Sequence, residues 1–188
     1  MKKIVLTLII LFTPILTFGA ERFLAIGGGY SNGMGADISF GYSRLNPVYP
    51  FSVSAGVGYF YQTDPGNAED ARKVFINDNE GGDIEESGSN IILGADIGYM
   101  FWTNQNLSLD LYGGPRYVFY RANFSYQGDN EEFTVKYDTP GLGFGVKGEV
   151  AVTPTVKLIG KVGLEYYLPS KLYGHGKFTY NPYDKDDN

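Results

Sequence analysis

The sequence predicts an all-β fold, an antiparallel eight-stranded up-and-down transmembrane β-barrel, on three observations. Apolar and polar side chains alternate with period two in seven segments, aromatic residues gather towards the ends of the apolar faces, and short connections alternate with long ones. The segment Phe51 to Gln62 shows the pattern most fully. Its odd positions are Phe51, Val53, Ala55, Val57, Tyr59 and Tyr61, and its even ones are Ser52, Ser54, Gly56, Gly58, Phe60 and Gln62. In an extended chain these two sets point to opposite faces. A water-soluble sandwich also alternates, but its polar face meets solvent. It has no reason to be so poor in charge or to hold aromatics at the ends of its apolar face.

The other strands follow the same logic. The first, about Arg22 to Ser31, points Leu24, Ile26, Gly28 and Tyr30 outward, and the second, about Gly35 to Ser43, points Ala36, Ile38, Phe40 and Tyr42 outward. After the third, Phe51 to Gln62, the fourth runs from about Asn90 to Trp102 with Ile91, Leu93, Ala95, Ile97, Tyr99 and Phe101 on its apolar face. The fifth begins near Leu107 and sets Leu109, Leu111, Tyr117 and Phe119 outward. The sixth offers Leu142, Phe144, Val146, Val150 and Val152, and the seventh Val156, Leu158, Val162, Leu164 and Tyr166. An eighth, over about Lys171 to Tyr183, is the weakest in pattern, with Leu172, Phe178 and Tyr180 opposite Tyr173, His175, Lys177 and Thr179. Short connections at Arg44 to Pro50, Thr103 to Asn106 and around Pro154 are expected periplasmic turns. Thr63 to Ser89 and Arg121 to Pro140 are expected outer loops.

Running the strands alternately up and down sorts the outward aromatics into two girdles, as amphipathic rings at two membrane interfaces should be. The outer girdle is Tyr30, Tyr59, Tyr61, Tyr117, Phe119 and Tyr166. The periplasmic girdle is Tyr42, Phe51, Tyr99, Phe101 and Tyr180.

The N-terminus carries Lys2 and Lys3, the apolar run Ile4 to Phe12, and Thr17-Phe18-Gly19-Ala20, which reads as a secretory signal peptide over residues 1–19. Cleavage after Gly19 or after Ala20 fits, the former placing small Thr17 three residues before the cut. Residues 20–188 are then one barrel domain. Losing Lys2 and Lys3 takes the formal charge from −6 to −8. An acidic chain gains little from phosphate contacts, so a nucleic-acid role is not expected. With no cysteine in the chain, neither a disulfide nor a lipidated N-terminal cysteine is possible.

With strand pattern, girdles and the Gly-rich run Gly141-Leu142-Gly143-Phe144-Gly145-Val146-Lys147-Gly148-Glu149-Val150 in view, the whole mature chain resembles the small eight-stranded outer-membrane proteins of the OmpA and OmpX type. The resemblance implies a monomer in the outer membrane of a Gram-negative-type bacterium, delivered by periplasmic chaperones and inserted by the outer-membrane assembly machinery, in contact with outer-membrane lipids and lipopolysaccharide. It also implies a last strand that ends on an aromatic residue, whereas this chain continues past Tyr183 through Asp184, Lys185, Asp186, Asp187 and Asn188. Either Phe178 and Tyr180 end strand eight before a polar tail, or Tyr167 to Asn188 is the final outer loop and a closing strand is missing from this chain.

Inward positions carry the acids Asp37, Asp96, Asp110, Glu149 and Glu165 and the bases Arg116, Lys147, Lys157 and Lys161. An eight-stranded lumen is filled by its own side chains, so these charges are expected to pair as a plug. A gated ion path is the sharper alternative. The loop from Thr63 to Ser89 holds Asp64, Glu69, Asp70, Asp78, Glu80, Asp83, Glu85 and Glu86. Asp78-Asn79-Glu80-Gly81-Gly82-Asp83 lacks calcium-loop spacing, which favours a solvated surface loop. His175 has no adjacent serine, so no catalytic site, metal or cofactor is expected. The expectation is a non-enzymatic outer-membrane protein acting through exposed loops in surface interaction, adhesion or envelope integrity. A small channel or uptake barrel for ions or small apolar solutes, and a lipid A-modifying enzyme, are the alternatives.

Overall fold

Extended segments leave every N–H and C=O without an internal partner and point them alternately to either edge, so each strand needs neighbours on both sides, and closing the sheet on itself removes the edges. The computed structural model describes residues 13–17, 22–43, 50–63, 65–66, 84–126, 131–153, 156–174 and 179–180. In it, β2 (Arg22–Tyr30), β3 (Met34–Tyr42), β4 (Phe51–Gln62), β5 (Ile84–Thr103), β6 (Leu107–Tyr126), β7 (Glu131–Ala151) and β8 (Val156–Tyr167) pair antiparallel in chain order. β1 (Thr13–Thr17) lies between β8 and β2, with Ile15 opposite Ala25 on one side and Lys157 on the other, and closes the ring at eight. β1 falls inside the segment whose sequence reads as a signal peptide.

The eighth place therefore does not go to residues 171–183, and that expectation is corrected. β9 (Leu172–Tyr173) meets β7 at Lys136, and β10 (Thr179–Tyr180) pairs with β9. Both lie on the side of β7, at the end of the barrel opposite its tight turns. The cause is local. The Leu168 N–H donates to Pro140 O at 3.0 Å, and the Thr139 hydroxyl donates to Leu168 O at 2.6 Å. These bonds turn the chain back across β7 as it leaves β8. Tyr180 is thus at the far end from the periplasmic girdle to which the sequence assigned it. Residues 175–178 and 181–183 lie outside the described residues.

Tight connections are fixed by their own side chains. Asn104 accepts from the Asn106 and Leu107 N–H groups at 2.9 and 2.8 Å and reverses the chain between β5 and β6. Thr153 accepts from the Val156 N–H at 3.0 Å between β7 and β8. At the other end, Ser31–Gly33 joins β2 to β3 through Asn32 in the left-handed region, φ 53°.

The two expected loops are also corrected. Residues 84–89 belong to β5, and residues 121–126 and 131–140 belong to β6 and β7, so these strands reach 20, 20 and 21 residues. They rise beyond β2 and β3 as a protruding sheet. The alternation persists there with its polarity inverted. Up to Tyr117 and Phe119 the apolar side chains face out, whereas above them Arg121 and Asn123 face out and Tyr120, Ala122 and Phe124 are buried inside. On β7 the exchange falls between Pro140, beyond which Leu142 and Phe144 face out, and Asp138 and Lys136, which are exposed above buried Val135 and Phe133. A sheet whose greasy face turns inward is built for water outside.

The outward band below this exchange includes Ile38, Phe40, Val57, Ile97, Phe144 and Val162, all exposed. In lipid vesicles, Val57→Arg or Ala95→Arg should lower barrel stability by about 2 to 4 kcal/mol, while Asn123→Arg on the protruding sheet should change it little. Urea titration of the three variants checks this, and equal tolerance at all three positions would refute the assignment of the lipid face.

Candidate functional site: the filled lumen and its apolar cap

Inward positions of neighbouring strands fall at similar heights, so the register stacks the lumen in layers. At the tight-turn end, Asp110 on β6, Lys147 and Glu149 on β7 and Lys157 on β8 form a chain of ion pairs. Lys147 Nζ lies 2.8 Å from Asp110 Oδ2 and 2.7 Å from Glu149 Oε1, and Lys157 Nζ lies 2.8 Å from Glu149 Oε2. The Lys147 ammonium also stands 5.9 Å from the centre of the Phe23 ring.

Higher up, Arg116 on β6 spans the lumen. Its Nη2 donates to Asp96 Oδ1 at 2.7 Å, its Nε to Glu165 Oε1 at 3.2 Å, and its Nη1 to the carbonyls of Ala95 and Pro115 at 3.2 and 3.1 Å. Glu165 accepts in addition from the Tyr167 hydroxyl at 2.9 Å. All three nitrogens of the guanidinium thus meet fixed acceptors, as a buried guanidinium requires. Glycines make the room. A Cβ on Gly143 would sit 2.8 Å from Arg116 Nε, and one on Gly163 would sit 2.5 Å from the Tyr112 hydroxyl.

Seven of the nine charged residues singled out from the sequence are joined in these two clusters. Asp37 and Lys161 are not. They line a cavity of about 90 Å³ with Ser39, Ser54, Tyr112 and Arg116, and Asp37 Oδ1 is buried with no hydrogen-bonding partner. The Lys161 ammonium stands 6.0 Å from the centre of the Tyr112 ring. A space of this size has room for water, and the polar groups of Asp37, Lys161, Ser39 and Ser54 are on its lining to hold it.

Above the cavity apolar side chains predominate, with Gln62 and Asn90 buried among them. Phe60, Ile92 and Val118 pack together under Tyr137 and Tyr167. On them rests a second cluster of Tyr120, Ala122, Phe124, Phe133 and Val135, joined by Tyr137 and Leu172. Tyr120 stacks on Tyr137 at 4.5 Å and Phe124 on Phe133 at 5.1 Å, and the Tyr120 hydroxyl donates to Pro65 O. Sequence reasoning did not find this cap. Its signal was present in the continued alternation of Val118, Tyr120, Ala122 and Phe124 with Tyr117, Phe119, Arg121 and Asn123.

Of the outer girdle, Tyr30, Tyr59, Tyr61, Tyr117, Phe119 and Tyr166 are all exposed on the outward face. At the tight-turn end, Tyr42, Phe51, Tyr99 and Phe101 are exposed as well, with the Phe51 and Tyr99 rings 5.3 Å apart. A bulge at Met100 to Trp102 places Trp102 on the exposed surface beside them. Of the acidic stretch, Glu85 and Glu86 stand on β5, while Asp64, Glu69, Asp70, Asp78, Glu80 and Asp83 lie outside the described residues, as does His175. Among the described residues no group of three or more His, Asp or Glu is placed to hold a metal.

No protein-family model matches the chain, and no curated protein does. Among solved structures, the crystal structure of a major outer membrane protein from Thermus thermophilus matches with a TM-score of 0.68 at 23% identity, over 86% of this chain and 83% of that one. The fold is that of an outer-membrane β-barrel.

Removing one partner from a buried ionic cluster strands the charges left behind. Arg116→Ala leaves Asp96 and Glu165 facing each other across the lumen and should cost about 3 to 5 kcal/mol in a urea titration. Changing Asp96 and Glu165 to Asn and Gln in the Arg116→Ala background should recover part of that loss. No recovery would mean that the ion pairs are not what Arg116 contributes.

Proposed function

We propose that the chain is a non-enzymatic integral outer-membrane protein of a Gram-negative-type bacterium, similar in type to OmpA and OmpX. Its barrel anchors, and its protruding sheet carries surface interaction, adhesion or envelope integrity. The observation that supports this reading is the contrast between the two ends of one lumen. Below, ion pairs occupy the interior, and above them Phe60, Ile92 and Val118 pack together as an apolar cap. On the outside, strands β5 to β7 stand clear of the girdles and present Arg121, Asn123, Thr134, Lys136 and Asp138 to solvent. Structure that rises beyond a rigid scaffold is where specific contacts are placed. On this reading periplasmic chaperones and the assembly machinery deliver the chain, and it works as a monomer among outer-membrane lipids and lipopolysaccharide.

A second reading, a narrow path for ions or small solutes, has one observation in its favour, the cavity beside Asp37 and Lys161. The readings part in a planar bilayer. Purified protein should give no steady porin-like conductance, whereas reproducible openings altered by Asp37→Ala would favour the path. Replacing Ala122 to Val135 by an Asn-Gly turn, which suits the opposed pair Arg121 and Lys136, should leave the barrel folded and abolish binding to cells or phage. Undiminished binding would remove the protruding hairpin from the proposal.

A further inference from the structure

The inversion of polarity on β6 and β7 has a cationic margin. Arg121 is the first outward residue of β6 above Phe119, about 7 Å higher along the strand. Its partner across the ladder is Lys136. Both are exposed, and among the described residues neither forms an ion pair. Directly opposed like charges repel across a strand pair, so the ladder gains nothing from this arrangement by itself. β9 extends the same face. Leu172 packs inward against the Phe124 and Phe133 cluster, so Lys171 and Tyr173 on either side of it point outward, and Tyr173 lies opposite Lys136. Both are exposed. Among the described residues the face thus holds Arg121, Lys136 and Lys171 beside Asp138, which neighbours Phe119 across the ladder, while Glu85 and Glu86 stand on the far side of a cavity that Lys136 also lines.

We infer that Arg121, Lys136 and Lys171 form a docking site for the phosphate groups of an anionic glycolipid of the outer leaflet, the lipid A part of lipopolysaccharide. This rests on the outer-membrane reading above and names its lipid contact. The height selects the lipid as the source of phosphate. Tyr117, Phe119 and Tyr166 end the apolar band, so acyl chains pack against the wall below them and headgroup phosphates come level with the next outward residues. Arginine offers a planar fork that binds a phosphate through two parallel hydrogen bonds, and lysines beside it add point charge. A phosphate between Arg121 and Lys136 turns their repulsion into attraction.

The test uses the full chain folded into phosphatidylcholine vesicles that contain either phosphorylated lipid A or lipid A stripped of its phosphates. Lipid bound to the purified protein is measured by mass spectrometry and by titration of a fluorescent analogue. The unmodified protein should prefer the phosphorylated lipid by about tenfold or more, since each basic residue near an anionic surface contributes measurably. The R121Q/K136Q/K171Q variant should lose that preference, and Asp138→Asn, which removes an opposing charge from the same face, should strengthen it. Equal binding of the two lipids by folded protein overturns this inference and leaves the outer-membrane reading standing. So does a triple variant that keeps the preference, or competition by millimolar inorganic phosphate as effective as by the lipid. A chain that folds in neither vesicle overturns both.

Discussion

Closure of eight strands leaves an interior with room for side chains and little else, and the rest of the structure is arranged around the buried guanidinium of Arg116. A charge at that depth is tolerable only if its hydrogen bonds are made and its countercharges are held in place. Asp96 arrives from β5 and Glu165 from β8, so the pairing ties three strands across the lumen that are not all neighbours in the wall. The glycines follow from it, since Gly143 carries no Cβ because the guanidinium occupies that space. So does the register, because shifting β7 by one residue against β6 would put a side chain where Gly143 now stands.

The layers above and below divide the work. Asp110, Lys147, Glu149 and Lys157 knit β6, β7 and β8 near the tight turns, while the apolar cap holds the longer halves of β5, β6 and β7 together. The Asp37 and Lys161 pair is different in kind. It lines a cavity bounded on one side by the small residues Ser39 and Ser54 of β3 and β4 and on the other by Tyr112 and Arg116 of β6. The interior is therefore lopsided, with large ionic side chains from β5 to β8 leaning towards a wall of serine and glycine.

Seven strands and both aromatic rims were legible because each rests on a period of two, and such a period survives without knowledge of neighbours. The inward or outward sense of Asp96, Arg116 and Lys147 came with it. What was not legible depends on distance in space. Nothing along the chain says that Arg116 bridges two carboxylates while Asp37 and Lys161 face each other across a cavity. The height of β5 to β7 was missed because residues 121–125 and 133–139 keep the period but exchange faces, so a search for apolar-out strands stops at Phe119. The eighth strand failed for another reason. Residues 171–180 have a passable alternation, but the bonds between Leu168, Thr139 and Pro140 send β9 over β7.

The exchange of faces on β6 and β7 also acts as a depth gauge. A barrel with a uniform apolar wall is free to ride up and down in a bilayer at little cost, because each step trades one greasy side chain for another. Here a descent of two residues would carry Arg121 and Lys136 into hydrocarbon, where a lipid-facing cation costs up to about 2 to 4 kcal/mol at the midplane and less near the edge. A rise by the same step would lift Tyr117 and Phe119 out of the interface and bring Trp102 and Phe101 up into the chains from below. Vertical position is thus written into two adjacent strands, and the tilt of the whole cylinder is pinned on that side, because β2 and β3 turn back at Ser31–Gly33 without any such mark.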